Sequence, residues 1–195
     1  MYEYIEGIIA KQTPTYTVID VGGIAYKINV PLSTHEKIAG AKKIKLLIHL
    51  TIKEDAHILY GFFTTEEREI FKSLISVSGI GTNTAILILS SLATNELSEA
   101  IIKGDVALLK SIKGIGSKTA QRMIIELQDT FKKKTDEQII GLNLPDSSFE
   151  EAIGALSMLG FKKHDAEKVV RKVVRENKAE TLTVEEIIKL SLKRL

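Results

Sequence analysis

Two copies of a Gly-Ile-Gly turn constrain this chain more than any other feature of its sequence. Ser78-Gly79-Ile80-Gly81-Thr82-Asn83-Thr84-Ala85 and Lys113-Gly114-Ile115-Gly116-Ser117-Lys118-Thr119-Ala120 share it, their first glycines 35 residues apart. An apolar helical run precedes each copy, over 70–77 and 106–112, and another follows, so each copy predicts a helix–hairpin–helix unit. Glycine lets the backbone turn sharply and come close to a phosphate. The helix that follows then aims unpaired N–H groups and a partial positive charge at that phosphate. Such contacts hold a nucleic-acid backbone without reading its sequence. A single copy is equally well a plain turn between packed helices. Two copies at matching positions, the second with Lys118 and Arg122 on the following helix, favour DNA phosphate binding by Gly79, Ile80, Gly81, Thr82 and Asn83 together with Gly114, Ile115, Gly116, Ser117, Lys118 and Arg122.

Charge gives this reading no help. The formal net charge is +2, and residues 1–131 carry 14 basic and 14 acidic side chains. Any DNA-binding face must therefore be made by arrangement rather than by excess charge. Cysteine is absent, which excludes disulfides, iron–sulfur clusters and thiolate zinc sites. His35, His49, His57 and His164 are scattered without metal-ligand spacing, so neither a metal nor a cofactor is expected. The first residues lack the basic and apolar regions of a signal peptide, and no apolar run is long enough to span a bilayer. The expected setting is cytoplasmic, with no membrane contact.

Three textures follow one another along the chain. Residues 1–63 alternate apolar and polar with many β-branched side chains, and Gly22-Gly23 marks a hairpin between two such runs. Runs at 44–52 and 57–63 add a second strand pair, giving about five strands and suggesting a small closed sheet of the OB type. Residues 64–131 turn helical, with 3.6-residue periods at 66–77, 85–92, 97–102, 106–112 and 119–131. Residues 132–147 lose that period and are expected to form a flexible linker, with Lys132-Lys133-Lys134 as its solvated start. From 148 to 195 three short helices are expected. A capping box at Ser147-Ser148-Phe149-Glu150 opens the first, Gly160 closes it, and a second box at Thr183-Val184-Glu185-Glu186 opens the last. The fold class is thus α+β: an OB-like barrel, a central all-α tandem helix–hairpin–helix domain and a C-terminal three-helix bundle.

Glu54-Asp55-Ala56-His57-Ile58-Leu59-Tyr60-Gly61-Phe62 matches a Glu-Asp-x-x-x-Leu-Tyr-Gly-Phe segment, and with the domain order it resembles the RuvA family over nearly the whole chain. The resemblance implies a non-catalytic subunit acting in recombination, repair and the SOS response. It implies a homotetramer, or an octamer of two facing tetramers, that holds four-way (Holliday) junction DNA open and flat. The RuvB ATPase would be the motor partner and the RuvC resolvase a further partner. Glu54 and Asp55 would form an acidic pin at the crossover, repelling phosphates and disfavouring plain duplex. Leu159-Gly160-Phe161 is similar to the turn of ubiquitin-associated-like domains and would mark the RuvB-docking surface. One departure stands out: Asn83 occupies the place where relatives often carry lysine, leaving the first hairpin without charge assistance. Lys72, Lys103 or Lys110 are candidates to compensate.

Three other readings compete. Gly114-Ile115-Gly116-Ser117-Lys118-Thr119 loosely resembles a nucleotide-binding P-loop but lacks its glycine spacing and its Gly-Lys-Ser/Thr adjacency. A helix–hairpin–helix DNA glycosylase with lyase activity would need Lys118 as nucleophile and Asp136 as the catalytic carboxylate, 18 residues on. A generic double-hairpin duplex binder would lack junction preference.

Overall fold

The structure is a computed structural model that describes residues 2–139, 146–177 and 182–194. Its chain forms two compact units, Met1–Thr135 and Asp136–Leu195.

In the first unit the alternating N-terminal runs become β1 (Tyr4–Gln12), β2 (Tyr16–Val21), β3 (Ile24–Asn29), β4 (Lys43–Ile52) and β5 (His57–Phe62). They close into a barrel in the order β1-β2-β3-β5-β4, with β3 and β5 parallel and every other pair antiparallel. Gly22 and Gly23 make the β2–β3 turn at φ +65° and +100°, and the Gly23 N–H donates to Asp20 Oδ1 at 2.8 Å. Inward residues Ile5, Ile19, Ile28, Leu46, Ile48 and Leu59 fill the barrel. The six-residue helix α1 (Leu32–Lys37) packs against the Thr82–Ser91 helix of the helical region that follows, and it is too short to show a period in the sequence.

The helical region follows with α2 (Thr65–Ser76), α3 (Thr82–Ser91), α4 (Thr94–Lys103), α5 (Val106–Ser111) and α6 (Ser117–Ile139). Its core runs from Tyr60 and Phe62 of β5 through both hairpins to Phe131. The Leu-Tyr-Gly-Phe segment is therefore where barrel and helices join. Leu59 faces the barrel core, while Tyr60 and Phe62 stack on Phe71 of α2 with ring centroids 5.2 and 4.9 Å apart. Gly61 must lack a Cβ, since one would lie 2.6 Å from the Ile28 side chain.

Glu67 clamps the same seam. It is buried, forms a capping box with Thr64, and accepts from Lys37 Nζ at 2.8 Å, from Thr34 Oγ1 at 3.0 Å and from the Phe63 N–H at 2.9 Å. Burial alone would raise its pKa, but Lys37, Thr64 and Thr34 together hold the carboxyl below its ordinary value. Nearby His49, edge-on to Phe71, is lowered chiefly by burial and further by Lys72 and Arg68. Both shifts have one sign. Each folded group binds its proton less readily than its unfolded counterpart, so stability is full above the unfolded values and is lost as pH falls. His49 begins to act below about pH 6.5, and Glu67 below about pH 4. Glu67→Ala should destabilise the first unit by about 2–4 kcal/mol in urea melts, combining a lost cap with unpaired donors. Relative to Glu67→Gln, the wild-type advantage should shrink as pH drops below about 4. An advantage constant down to pH 3 would show that the charged form contributes nothing.

Two features of the expected connection are corrected. Residues 132–139 do not start a linker; they extend α6 as far as Ile139, because Lys, Thr, Asp, Glu and Gln carry no helix breaker even though they lack an apolar stripe. The remainder, 140–145, lies outside the described residues. The next helix, α7 (Asp146–Met158), begins before Ser147, so Ser147 and Ser148 sit inside its first turn rather than opening it. With α8 (Lys163–Glu176) and α9 (Val184–Leu192) it forms the second unit, whose core holds Phe149, Ile153, Leu156, Ala166, Val170 and Ile187. The expected capping box of Thr183 and Glu186 is present on α9.

Candidate nucleic-acid interface

The two hairpins share their turn dihedrals and their backbone hydrogen bonds. Helix α2 ends at Val77 (φ −76°, ψ 124°) and α5 at Ile112 (φ −75°, ψ 126°). Gly79 and Gly114 then turn through φ +93° and +88°, a region open to glycine and strained for other residues. Ile80 and Ile115 insert into the core and donate their N–H groups back to the Val77 and Ile112 carbonyls at 3.0 and 3.1 Å. Helix bonding starts at Ala85 N–H to Gly81 O and at Ala120 N–H to Gly116 O, both 2.9 Å. The N–H groups of Thr82, Asn83 and Thr84, and of Ser117, Lys118 and Thr119, therefore precede the first i→i−4 bond of their helices. No side chain caps α3.

Gly81 and Gly116 are informative because nothing inside the protein requires them. Gly81 has φ −85°, Gly116 also lies outside the left-handed region, and a Cβ on either would meet no atom within 4 Å. Missing side chains over open space, beside unpaired N–H groups at helix starts, leave room for a ligand to approach the backbone.

Three of the candidate residues have partners inside the protein. Ile80 and Ile115 have core side chains and N–H groups already bonded within the turn, so they pin the turns. Arg122 is exposed, but its Nη1 donates to the Ser78 carbonyl of the first hairpin at 3.0 Å and its Nε lies 4.0 Å from Glu126. It links the hairpins. Lys118 stands exposed in the first turn of α6, and Asn83 is exposed at the matching place on α3. Of the candidate substitutes, Lys72 pairs with Glu69 at 3.0 Å and Lys103 with Glu99 at 2.6 Å, whereas Lys110 forms no ion pair among the described residues.

Sequence reasoning overlooked Tyr60, whose buried hydroxyl donates to Thr82 Oγ1 at 2.8 Å. It also overlooked Glu67, although Thr64-Thr65-Glu66-Glu67 carries a capping-box pattern that could have revealed it. Glu54 and Asp55 lie exposed at the β4–β5 turn, closed by a 2.8 Å bond from Lys53 N–H to Ala56 O, and neither forms an ion pair among the described residues. In the second unit Gly160 turns at φ +97°, and Leu159 is 60% exposed. Phe161 packs partly against the bundle core, while Met158, not singled out from the sequence, is 92% exposed.

The lyase alternative meets an obstacle. Lys118, which would have to be its desolvated nucleophile, stands exposed at the start of α6. Among the described residues no single helix is long and apolar enough to cross a membrane, though α3 and α4, bent by 103°, pass that test as a pair.

Residues 1–61 match the family described as RuvA N terminal domain, 71–129 the SAM-like helix-hairpin-helix tandem, and 147–195 the RuvA C-terminal domain. The chain is 45% identical over 195 residues to the Holliday junction branch migration complex subunit RuvA of Christiangramia forsetii, covering 100% of both chains. The chain belongs to the RuvA family. The RuvA subunits of Flavobacterium psychrophilum and Bacteroides thetaiotaomicron are also 45% identical to it, each again covered over 100% of both chains. Within this family frame the barrel, the paired hairpins and the bundle correspond in order to the RuvA N-terminal domain, the hairpin tandem and the RuvA C-terminal domain.

Proposed function

We propose that this protein is the junction-binding, non-catalytic subunit of a branch migration complex: it holds four-way DNA by its phosphates and recruits the RuvB ATPase. The observation that carries this is the pair of superposable turns, each with a vacant side-chain position at Gly81 or Gly116 and three N–H groups ahead of the first helical bond. Two such clamps suit the two phosphate strands of a duplex arm. Lys118 adds charge to the second.

Four copies around a fourfold axis would bring the Glu54-Asp55 tips together at the crossover. Exposed Ile8 on β1, and Val21 paired with Ile24 across β2 and β3, offer apolar barrel surface for such self-assembly. The second unit, with Met158 and Leu159 exposed at its α7–α8 turn, is the docking module for the motor. A cytoplasmic setting and a later handover to the RuvC resolvase fit the same reading.

Competition between junction and linear duplex, run across a salt series, tests it. Junction binding should win, and log affinity should fall with log salt at about −0.9 per phosphate neutralised. Glu54→Gln with Asp55→Asn should strengthen duplex binding severalfold more than junction binding, most clearly at low salt, where exposed charges are least screened. Unchanged selectivity in this double variant would reduce the tip to a solvated turn. A wild type without junction preference would leave only a generic duplex binder.

A further inference from the structure

The first hairpin lacks the lysine of the second, yet it alone is held from outside on both sides of its Gly-Ile-Gly turn. Before the turn, the Ser78 carbonyl accepts from Arg122 of α6 at 3.0 Å. After it, the Thr82 hydroxyl accepts from Tyr60 of β5 at 2.8 Å. The corresponding residues of the second hairpin, Lys113 and Ser117, are exposed and have no such side-chain bond among the described residues.

The chemistry of the Tyr60–Thr82 pair has a direction. A phenol is the better donor of the two hydroxyls, and Tyr60 is 2% exposed on a rigid strand with its ring fixed against Phe71. A threonine hydroxyl has one proton. When its oxygen accepts from Tyr60, that proton must point elsewhere, and Thr82 is the first residue of α3, beside the unpaired N–H groups of Asn83 and Thr84. We infer that Tyr60 is a positioning residue for DNA: it sets the Thr82 hydroxyl as a donor to the phosphate at the first hairpin, while Arg122 fixes the other side of the turn. This rests on the phosphate-clamp reading above. The first clamp holds phosphate through pre-oriented neutral donors, the second through the mobile charge of Lys118. Fixing donors before binding lowers the ordering cost of the contact, which offsets the missing charge.

The test compares junction affinity, salt slope and melting temperature in the full-length protein. Tyr60→Phe keeps the ring and removes only the hydroxyl. It should weaken junction binding about three- to tenfold, the range of one neutral hydrogen bond, and leave the salt slope unchanged. Thr82→Val should cause a similar loss and Thr82→Ser little. In the Thr82→Val background, Tyr60→Phe should have no further effect, an outcome that mere loss of packing would not give. Arg122→Gln should likewise be less than additive with Thr82→Val; full additivity would make Arg122 an independent phosphate contact and remove it from the brace. Wild-type affinity in Tyr60→Phe, or equal losses in both Thr82 backgrounds, overturns the role of Tyr60. Lys118→Ala separates the two levels of the reading. If it loses affinity and about one unit of slope while Tyr60→Phe does not change binding, the clamp stands and the positioning role falls. If neither variant changes binding, the clamp itself is wrong.

Discussion

With valine at both Gly81 and Gly116, the protein should still fold and should lose junction binding by about 100-fold or more. Folding survives because neither glycine is needed by the fold: Gly81 has φ −85°, Gly116 lies outside the left-handed region, and a Cβ at either site meets nothing within 4 Å. The cost is that of a poor helix cap, about 1 kcal/mol each, which lowers the melting temperature by several degrees. Binding is lost because a branched side chain would occupy the space through which a phosphate reaches the N–H groups of Thr82–Thr84 and Ser117–Thr119. Charge-assisted contacts are worth about 1.5–3 kcal/mol each, so two lost clamps give at least two orders of magnitude. Gly79→Val with Gly114→Val is the contrasting pair. These sites are equally open, but their φ of +93° and +88° makes the substitution strained, so thermal stability should fall first. If valine at positions 81 and 116 leaves junction affinity intact, phosphates do not approach these turns.

How much of this was legible in the sequence depended on whether the signal was local. Strand alternation and the Gly22-Gly23 turn predicted the barrel, because each strand buries one face and a hairpin turn needs positive φ. The repeated Gly-Ile-Gly predicted both hairpins, since turn, core anchor and helix start are contiguous. Long-range partnerships were not legible. Nothing near Tyr60 in sequence indicates that its hydroxyl meets Thr82, 22 residues on, and nothing near Arg122 indicates Ser78, 44 residues back. A motif gives membership, not the direction each side chain takes: Ile80 and Ile115 turn into the core. The tail of α6 is illegible for the opposite reason: residues 132–139 carry no helix breaker, and loss of an apolar period is not loss of a helix.

That tail decides where the second large-effect experiment must cut. A chain ending at Ile139 keeps α6 whole, along with Leu127 and Phe131, which belong to the core shared by both hairpins. The first unit has its own barrel and helical cores, and the bundle has a separate one around Ile153, Leu156, Val170 and Ile187. The shortened protein should therefore melt cooperatively and bind junctions within about twofold of full length, since no proposed phosphate contact has been removed. ATP-driven branch migration with RuvB should fall to background. A full-length variant locates the defect: Met158→Asp with Leu159→Asp alters side chains 92% and 60% exposed, so stability should change by no more than about 0.5 kcal/mol. If these residues anchor the motor in an apolar pocket, placing charges there should weaken recruitment by about 30-fold or more while junction affinity stays constant. Migration at full rate by the chain ending at Ile139 would refute the docking role of the bundle. Full recruitment by the double aspartate variant would move the docking surface to another face of the same three helices.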